Sequence, residues 1–403
     1  MHILIAALHR PSKPTGVCRH AANLAQCLAD TKEVTQVTLI VGAWQKHYFE
    51  TFCDSKKINL IGVNIRNSTP IRNLWFLFGL PKLVNRLRPD IVHMSFPLPF
   101  FRPLFSSPIV STIHDFYPYE TPEVFGYPNV VFNRLFLKQC IANSDGLTCV
   151  SKSTLDSLKS YFPMHLHKPV TVIYNYVNFS RVVSKVPDGL ALDENRSFLL
   201  CVAQHRKNKN INLLIQAFSF LQENGHLHNS TKLLIVGSTG PETKSLQEQI
   251  FALSLQDRVL LLDSLKDSEL CWLYQNCQIF VAPSSQEGFC LPLAEALHFS
   301  CKVVCSRIPI FREIGSSSCS YFDLEGDAVK NLSQAIIHSL NEPLNRNSSD
   351  FRFSQLNVAK EYLMFYSAIA RTKQLPTGLL QRFQSNEQKL KQSDPLSKMM
   401  SEK

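Results

Sequence analysis

Short apolar runs alternate with amphipathic stretches along this chain, the pattern of a fold in which buried parallel strands are linked by returning helices. In the first half the apolar runs predict strands at 2–8, 36–42, 58–64, 90–94, 108–113, 146–150 and 170–174. Helical spacing predicts helices at 17–29, 71–88, 128–144 and 152–161. Residues 1–180 therefore read as one doubly wound domain. Residues 181–196, with Pro187, Asp188 and Gly189, lose the periodicity and read as a linker. A second series follows, with strands at 198–203, 232–236, 259–262, 278–282 and 302–305 and helices at 210–223, 242–254, 267–276 and 291–299. This predicts a second domain over 197–345. Residues 350–371, within a segment 346–373, have helical spacing and are a candidate to cross back. The polar residues 374–403 are expected to be disordered. Two doubly wound parallel sheets imply a cleft, with ligands beyond the carboxyl ends of the strands.

Length and composition fit this picture. The 403 residues exceed one ordinary domain, and 45% hydrophobic with 18% charged residues is usual for a globular protein. No apolar run reaches the roughly 18 residues needed to span a bilayer. The opening run His2–Leu8 lacks a basic leader and reads as a strand rather than a signal peptide. The twelve cysteines form no C-x-x-C pair, so reduced thiols and a cytoplasmic setting are expected. Net charge is +10, and most of it is local. Residues 1–190 hold 20 Lys and Arg against 11 Asp and Glu, and residues 191–403 hold 22 against 21. The basic half would suit an anionic acceptor or an anionic membrane surface, or serve solubility. No nucleic-acid motif accompanies it. The 71–88 helix carries Trp75, Phe76 and Phe78 with Lys82, Arg86 and Arg88, so it either packs its aromatics on the sheet or lies on a membrane at its inner face.

The chemistry concentrates in loops that follow strands. Residues 284–296 place Glu287 and Glu295 eight positions apart around Gly288 and Pro292. A helix starting near Leu291 turns its unpaired N–H groups toward an anion such as a diphosphate. The two acids would then accept hydroxyl hydrogens on either side, as a nucleotide-sugar would supply. The alternative is an ordinary loop–helix junction. After strand 198–203 come Gln204 and then three cations, Arg206, Lys207 and Lys209, whose charge opposes the dipole of the next helix and would be relieved by a bound anion, or by solvent. His114 ends strand 108–113, and Gly16 lies in the loop after the first strand. Each is a sugar- or phosphate-site candidate, or a plain structural residue.

At these positions the chain resembles the retaining glycosyltransferases of family four, enzymes of GT-B fold with two Rossmann-like domains facing a cleft. Pro283–Leu297 is similar to that family's E-x7-E signature, and Ile308–Ile314 to the stretch that follows it. Further matches are Pro89–His93, His114-Asp115, Val150–Ser153, Val172–Asn175 and Lys209-Asn210. The resemblance implies that Glu295 binds ribose hydroxyls and Glu287 contacts the donor sugar. It implies that the amides of Gly288, Phe289, Cys290 and Leu291 hold diphosphate and sugar, and that Lys209 stabilises the departing diphosphate. His114 would touch the sugar, and Gly16 would approach the phosphates or the acceptor. It implies transfer with retention to an acceptor the sequence does not name, without a required metal. Four positions depart from the family pattern. Ala203-Gln204 replaces Gly-Arg, passing phosphate charge to Lys209 and Arg206. Cys290 and Ser300 replace glycines, and Tyr176 follows Asn175 where glycine is common. Another enzyme on this fold, such as an epimerase or phosphorylase, and a non-catalytic nucleotide-sugar-binding module are the alternatives.

Overall fold

A computed structural model describes residues 1–9, 15–124, 126–179, 182–190, 197–263, 265–343 and 351–372. Its centre is two parallel sheets. The first runs β1 His2–Ala6, β2 Gln36–Gly42, β3 Ile58–Val63, β4 Ile91–Met94, β5 Ile109–Ile113, β6 Gly146–Cys149 and β7 Val170–Val172, in spatial order β3-β2-β1-β4-β5-β6-β7. The second runs β8 Phe198–Val202, β9 Lys232–Val236, β10 Val259–Leu262, β11 Ile279–Ala282, β12 Val303–Ser306 and β13 Ser320–Phe322, in order β10-β9-β8-β11-β12-β13. The order reverses at β1/β4 and again at β8/β11, which opens a crevice at the carboxyl ends of those strands. The central strands are apolar on both faces because helices cover both. Ile3, Leu4, Ile5 and Ala6 of β1 are fully buried, two toward the Gly16–Ala29 helix and two toward the face holding Phe76, Leu80 and Cys140.

The strand pattern was legible to within a residue or two. The helix expected at 71–88 spans 69–87 but passes through a π-helical turn at Trp75–Gly79, where an added Cβ on Gly79 would fall 2.5 Å from the Trp75 ring. That turn brings Phe76 inward and leaves Phe78 exposed. The short helices Lys46–Phe52, Tyr117–Glu120 and Pro309–Gly315 and edge strand β13 carried too little apolar pattern to be read, and the amphipathic helix Ala328–Asn341 was not anticipated. All twelve cysteines are free thiols.

Of the stretch read as a linker, residues 182–190 lie along the second domain, where the Lys185 amide donates to the Ser268 carbonyl at 3.0 Å and Val182 and Leu190 pack on its core. The helix Gln355–Thr372 returns to the first domain. Val358, Tyr362, Tyr366 and Ile369 complete the core beneath the Gly16–Ala29 helix, and the Tyr366 hydroxyl meets His93 Nδ1 at 2.8 Å. Gly146 permits this, since a Cβ there would fall 2.8 Å from Ile369. The tail 374–403 lies outside the described residues. No helix among the described residues is long and apolar enough to cross a membrane.

Candidate functional site

The loop between β11 and the Leu291–His298 helix forms the centre of the cleft. Glu287 lies within it and is almost fully buried. Its Oε1 accepts from Lys209 Nζ at 2.5 Å and from the Ser284 hydroxyl at 2.8 Å, and its Oε2 accepts from the Tyr117 hydroxyl at 3.3 Å. Lys207–Lys209 form a 3₁₀ turn ahead of the helix, and Lys209 pairs with Glu287. Burial by itself would depress the Lys209 ammonium, but Glu287 outweighs it and holds the pKa above the ordinary value. Asn210 caps the next helix in the left-handed conformation, φ 49°, and its amide donates to the Pro283 carbonyl at 3.0 Å. Asn tolerates that conformation better than most residues. Lys209 is thereby pinned beside the acid.

Gly288 joins the two domains. A Cβ there would lie 1.8 Å from the His114 carbonyl oxygen, and the Ser151 hydroxyl donates to the Gly288 carbonyl at 2.8 Å. Among the described residues no protein acceptor takes the amide hydrogens of Gly288, Phe289, Cys290 or Leu291. They end at a helix N-terminus, a suitable place for phosphate. The Phe289 side chain points into the core against Tyr174 and Phe353, so only its amide is available. Cys290 takes φ 69°, and burial raises its thiol well above the ordinary range, so it stays protonated.

His114 lies at the end of β5. Its Nε2 is 2.7 Å from the Ser95 carbonyl, so that nitrogen carries the hydrogen, and burial lowers the pKa to about 4. The neutral ring keeps Nδ1 as an acceptor. Beside it Asp115 is raised to about 6, chiefly by burial. Arg206 acts electrostatically on Asp115 and Lys209.

Beyond this centre a cavity of about 930 Å³ opens between the domains, reaching Gly16, Gln204, Gly237, Leu291 and Glu295. Gln204 Nε2 donates to Ser238 at 3.0 Å. A Cβ added to Gly16 would meet nothing within 4 Å, so the protein's own packing does not demand glycine there. Glu295 is buried; its Oε2 accepts from the Tyr274 hydroxyl at 2.9 Å, and burial raises its pKa against the pull of Arg19. Arg19, Asp267, Tyr117 and Tyr274 escaped sequence reasoning. Arg19 left one trace, as the one Lys or Arg in the Gly16–Ala29 helix, which has no Asp or Glu. The others came from elements whose facing side only the tertiary structure defines. Two distant motifs also meet here. Glu313 of the 308–314 stretch accepts from the amides of Lys152 and Ser153 at 2.7 and 3.1 Å, capping the first domain's Lys152–Tyr161 helix from the second domain. Among the described residues no group of three His, Cys, Asp or Glu side chains is placed to hold a metal ion.

Two doubly wound parallel domains meeting over this cleft define the GT-B class of proteins. Comparison with known sequences agrees, and the chain belongs to the glycosyltransferases. Residues 14–181 match the profile described as Glycosyltransferase Family 4, and residues 184–352 match Glycosyl transferases group 1. It is 29% identical over 228 residues to the O-antigen chain mannosyltransferase RfbU of Salmonella typhimurium, a match covering 55% of this chain and 60% of that one. It is 30% identical over 178 residues to an N-acetylgalactosaminyltransferase of Campylobacter jejuni that is named for a diphospho-undecaprenol acceptor, covering 44% and 46%. Thus these matches span about half the length of each relative. Among solved structures, HepE of Anabaena with UDP and glucose superposes with a TM-score of 0.67 at 16% identity, covering 91% of this chain and all of that one, which shows a shared fold.

Proposed function

We propose that this protein transfers a hexosyl group from a nucleoside-diphosphate sugar to an acceptor hydroxyl with retention of anomeric configuration. The observation that carries the reading is the buried Lys209–Glu287 pair beside four unpaired amides at a helix N-terminus. In the step, the bond from the anomeric carbon to the phosphate oxygen breaks as the acceptor oxygen approaches on the same face, and the acceptor's proton passes to the departing diphosphate. Lys209 and the amides of Gly288 to Leu291 stabilise the charge that develops on the diphosphate. Glu287 and His114 Nδ1 accept from sugar hydroxyls, and Glu295 from the ribose. No step calls for a metal. RfbU and HepE together make GDP-mannose and UDP-glucose the first donors to test. Glu295→Ala should raise the donor KM, and Glu287→Ala should lower kcat by roughly 100-fold, read by transfer of labelled sugar. Near-wild-type transfer by both variants would sink the assignment.

A surface observation supports a second reading, in which the protein works at the cytoplasmic face of an anionic membrane that presents a lipid-linked acceptor. Ile71, Leu74 and Phe78 stand exposed at helical spacing, with Lys82 and Arg86 exposed further along the same element. Phe101 and Leu104 are exposed close by, where Asn85 Nδ2 donates to the Leu104 carbonyl. Such a mixed apolar and basic face suits anionic lipid. Flotation with vesicles containing phosphatidylglycerol should carry the protein upward, and Phe78→Ser with Leu74→Ser should abolish this. Equal flotation of wild type and variant would remove the reading.

A further inference from the structure

Arg19 belongs to the first domain, yet its side chain spans the cleft. Nη1 meets Asp267 Oδ1 at 2.5 Å, and Nη2 lies 4.0 Å from Glu295 Oε1. The guanidinium is held between the rings of Phe52 and Phe179, with centroids at 5.0 and 5.3 Å, which fixes its plane. Among the described residues neither Nε nor Nη2, both buried, has a hydrogen-bond acceptor, although Tyr48 lies near enough to act on the guanidinium electrostatically. Glu295 gives Oε2 to Tyr274, which leaves Oε1 toward Arg19. The 4.0 Å gap is too long for a hydrogen bond but suits one inserted oxygen. An oxygen placed about 2.8 Å from both atoms would subtend roughly 90°. That oxygen must donate to a carboxylate and accept from a guanidinium, and a hydroxyl does both. The 930 Å³ cavity beside it has space for the rest of a nucleoside.

We propose that Arg19 is the first domain's half of the ribose site: one ribose hydroxyl donates to Glu295 Oε1 and accepts from Arg19 Nη2, so that the nucleoside is gripped from both domains. This rests on the reading of Glu295 as a ribose acceptor. Asp267 holds the guanidinium in position before the nucleotide arrives. Discrimination between ribose and deoxyribose then depends on a residue outside the nucleotide-binding domain.

The test is calorimetry with UDP and GDP, continued with whichever binds wild type more tightly and with its 2′-deoxy and 3′-deoxy forms. Wild type, Arg19→Gln, Arg19→Lys and Glu295→Gln are compared. Wild type should prefer the ribonucleotide to one deoxy form by at least about tenfold. Arg19→Gln should lose about that factor for the ribonucleotide alone. Arg19→Lys keeps the charge opposite Asp267 and serves as the folding control, and it too should lose the discrimination. Unchanged ribonucleotide binding in both Arg19 variants, or an equal loss for ribo and deoxy forms, overturns the Arg19 assignment and leaves the donor site standing. Unchanged binding in Glu295→Gln, or no binding of UDP and GDP by wild type, overturns the donor-site reading itself.

Discussion

Cys290 and Ser300 both occupy left-handed backbone, with φ of 69° and 56°. These are two of the positions where the family pattern has glycine, and the geometry gives the reason. A Cβ in that region crowds the following carbonyl, at a cost of about 1–2 kcal/mol that glycine avoids. Cys290 bears the cost at the N-cap of the helix whose amides face the cleft, so its replacement leaves the loop's shape intact and stores strain instead. Cys290→Gly should raise stability by about 1 kcal/mol, measured by urea unfolding. A decrease would show that the thiol's packing outweighs the strain. Gln204 marks a different departure: its amide donates to Ser238, and under the proposed function the phosphate charge would be met by Lys209 and Arg206 instead.

At the scale of elements, the site is the meeting of a β11 loop with the end of β5. Gly288 is the contact point, and its importance comes from the His114 carbonyl oxygen, which an added Cβ would meet at 1.8 Å, rather than from backbone freedom. Neither strand end can yield, since β5 is fully buried between β4 and β6. Gly288→Ala should therefore leave each domain folded, hold them apart, and lower transfer by at least about 100-fold. Scattering would show an enlarged radius of gyration with unchanged secondary structure. Full activity would mean that this contact is dispensable.

For the whole molecule, the first sheet's carboxyl edge gathers His9, His20, His93 and His114. Burial lowers all four, to about 3 for His9 and His93 and about 4 for His114, with the direction alone clear for His20. The unfolded chain takes protons near pH 6.5 and the fold refuses them, so this stability is complete above about 6.5 and is lost as pH falls toward 4. Each group contributes a slope of up to about 1.4 kcal/mol per pH unit. Asp115 runs the other way: raised to about 6, it favours the fold while protonated and loses stability as pH rises from 3.8 to 6. With His2, His165, His205 and His298 also lowered, and Glu295 and Glu361 raised like Asp115, eight imidazoles against three carboxylates among the described residues predict a net fall in Tm of several degrees between pH 7 and 5, read by calorimetry. A flat profile would show that the imidazoles are not excluded from protonation.

The sequence alone determined every strand but β13, because a parallel strand buried on both faces must be apolar along its length, as Ile3–Ala6 and Ile279–Ala282 are and the short edge strand β13 is not. It determined that Glu287, Gly288, Lys209 and Glu295 follow strand ends, since their spacing is local to one loop or one turn. It also carried the excess of positive charge in the first half. It did not determine which of these charges would pair. The Lys209–Glu287 bridge joins residues 78 positions apart, and Arg19–Asp267 joins residues 248 apart. The first closes once β8 and β11 pair within the second sheet, and the second only when the two domains meet. Tertiary structure likewise decided that Phe289 turns inward while its amide faces the cleft, and that Glu313 caps a helix of the other domain. Local pattern sets an element's buried face, whereas the partner across a cleft is chosen by the packing of whole domains.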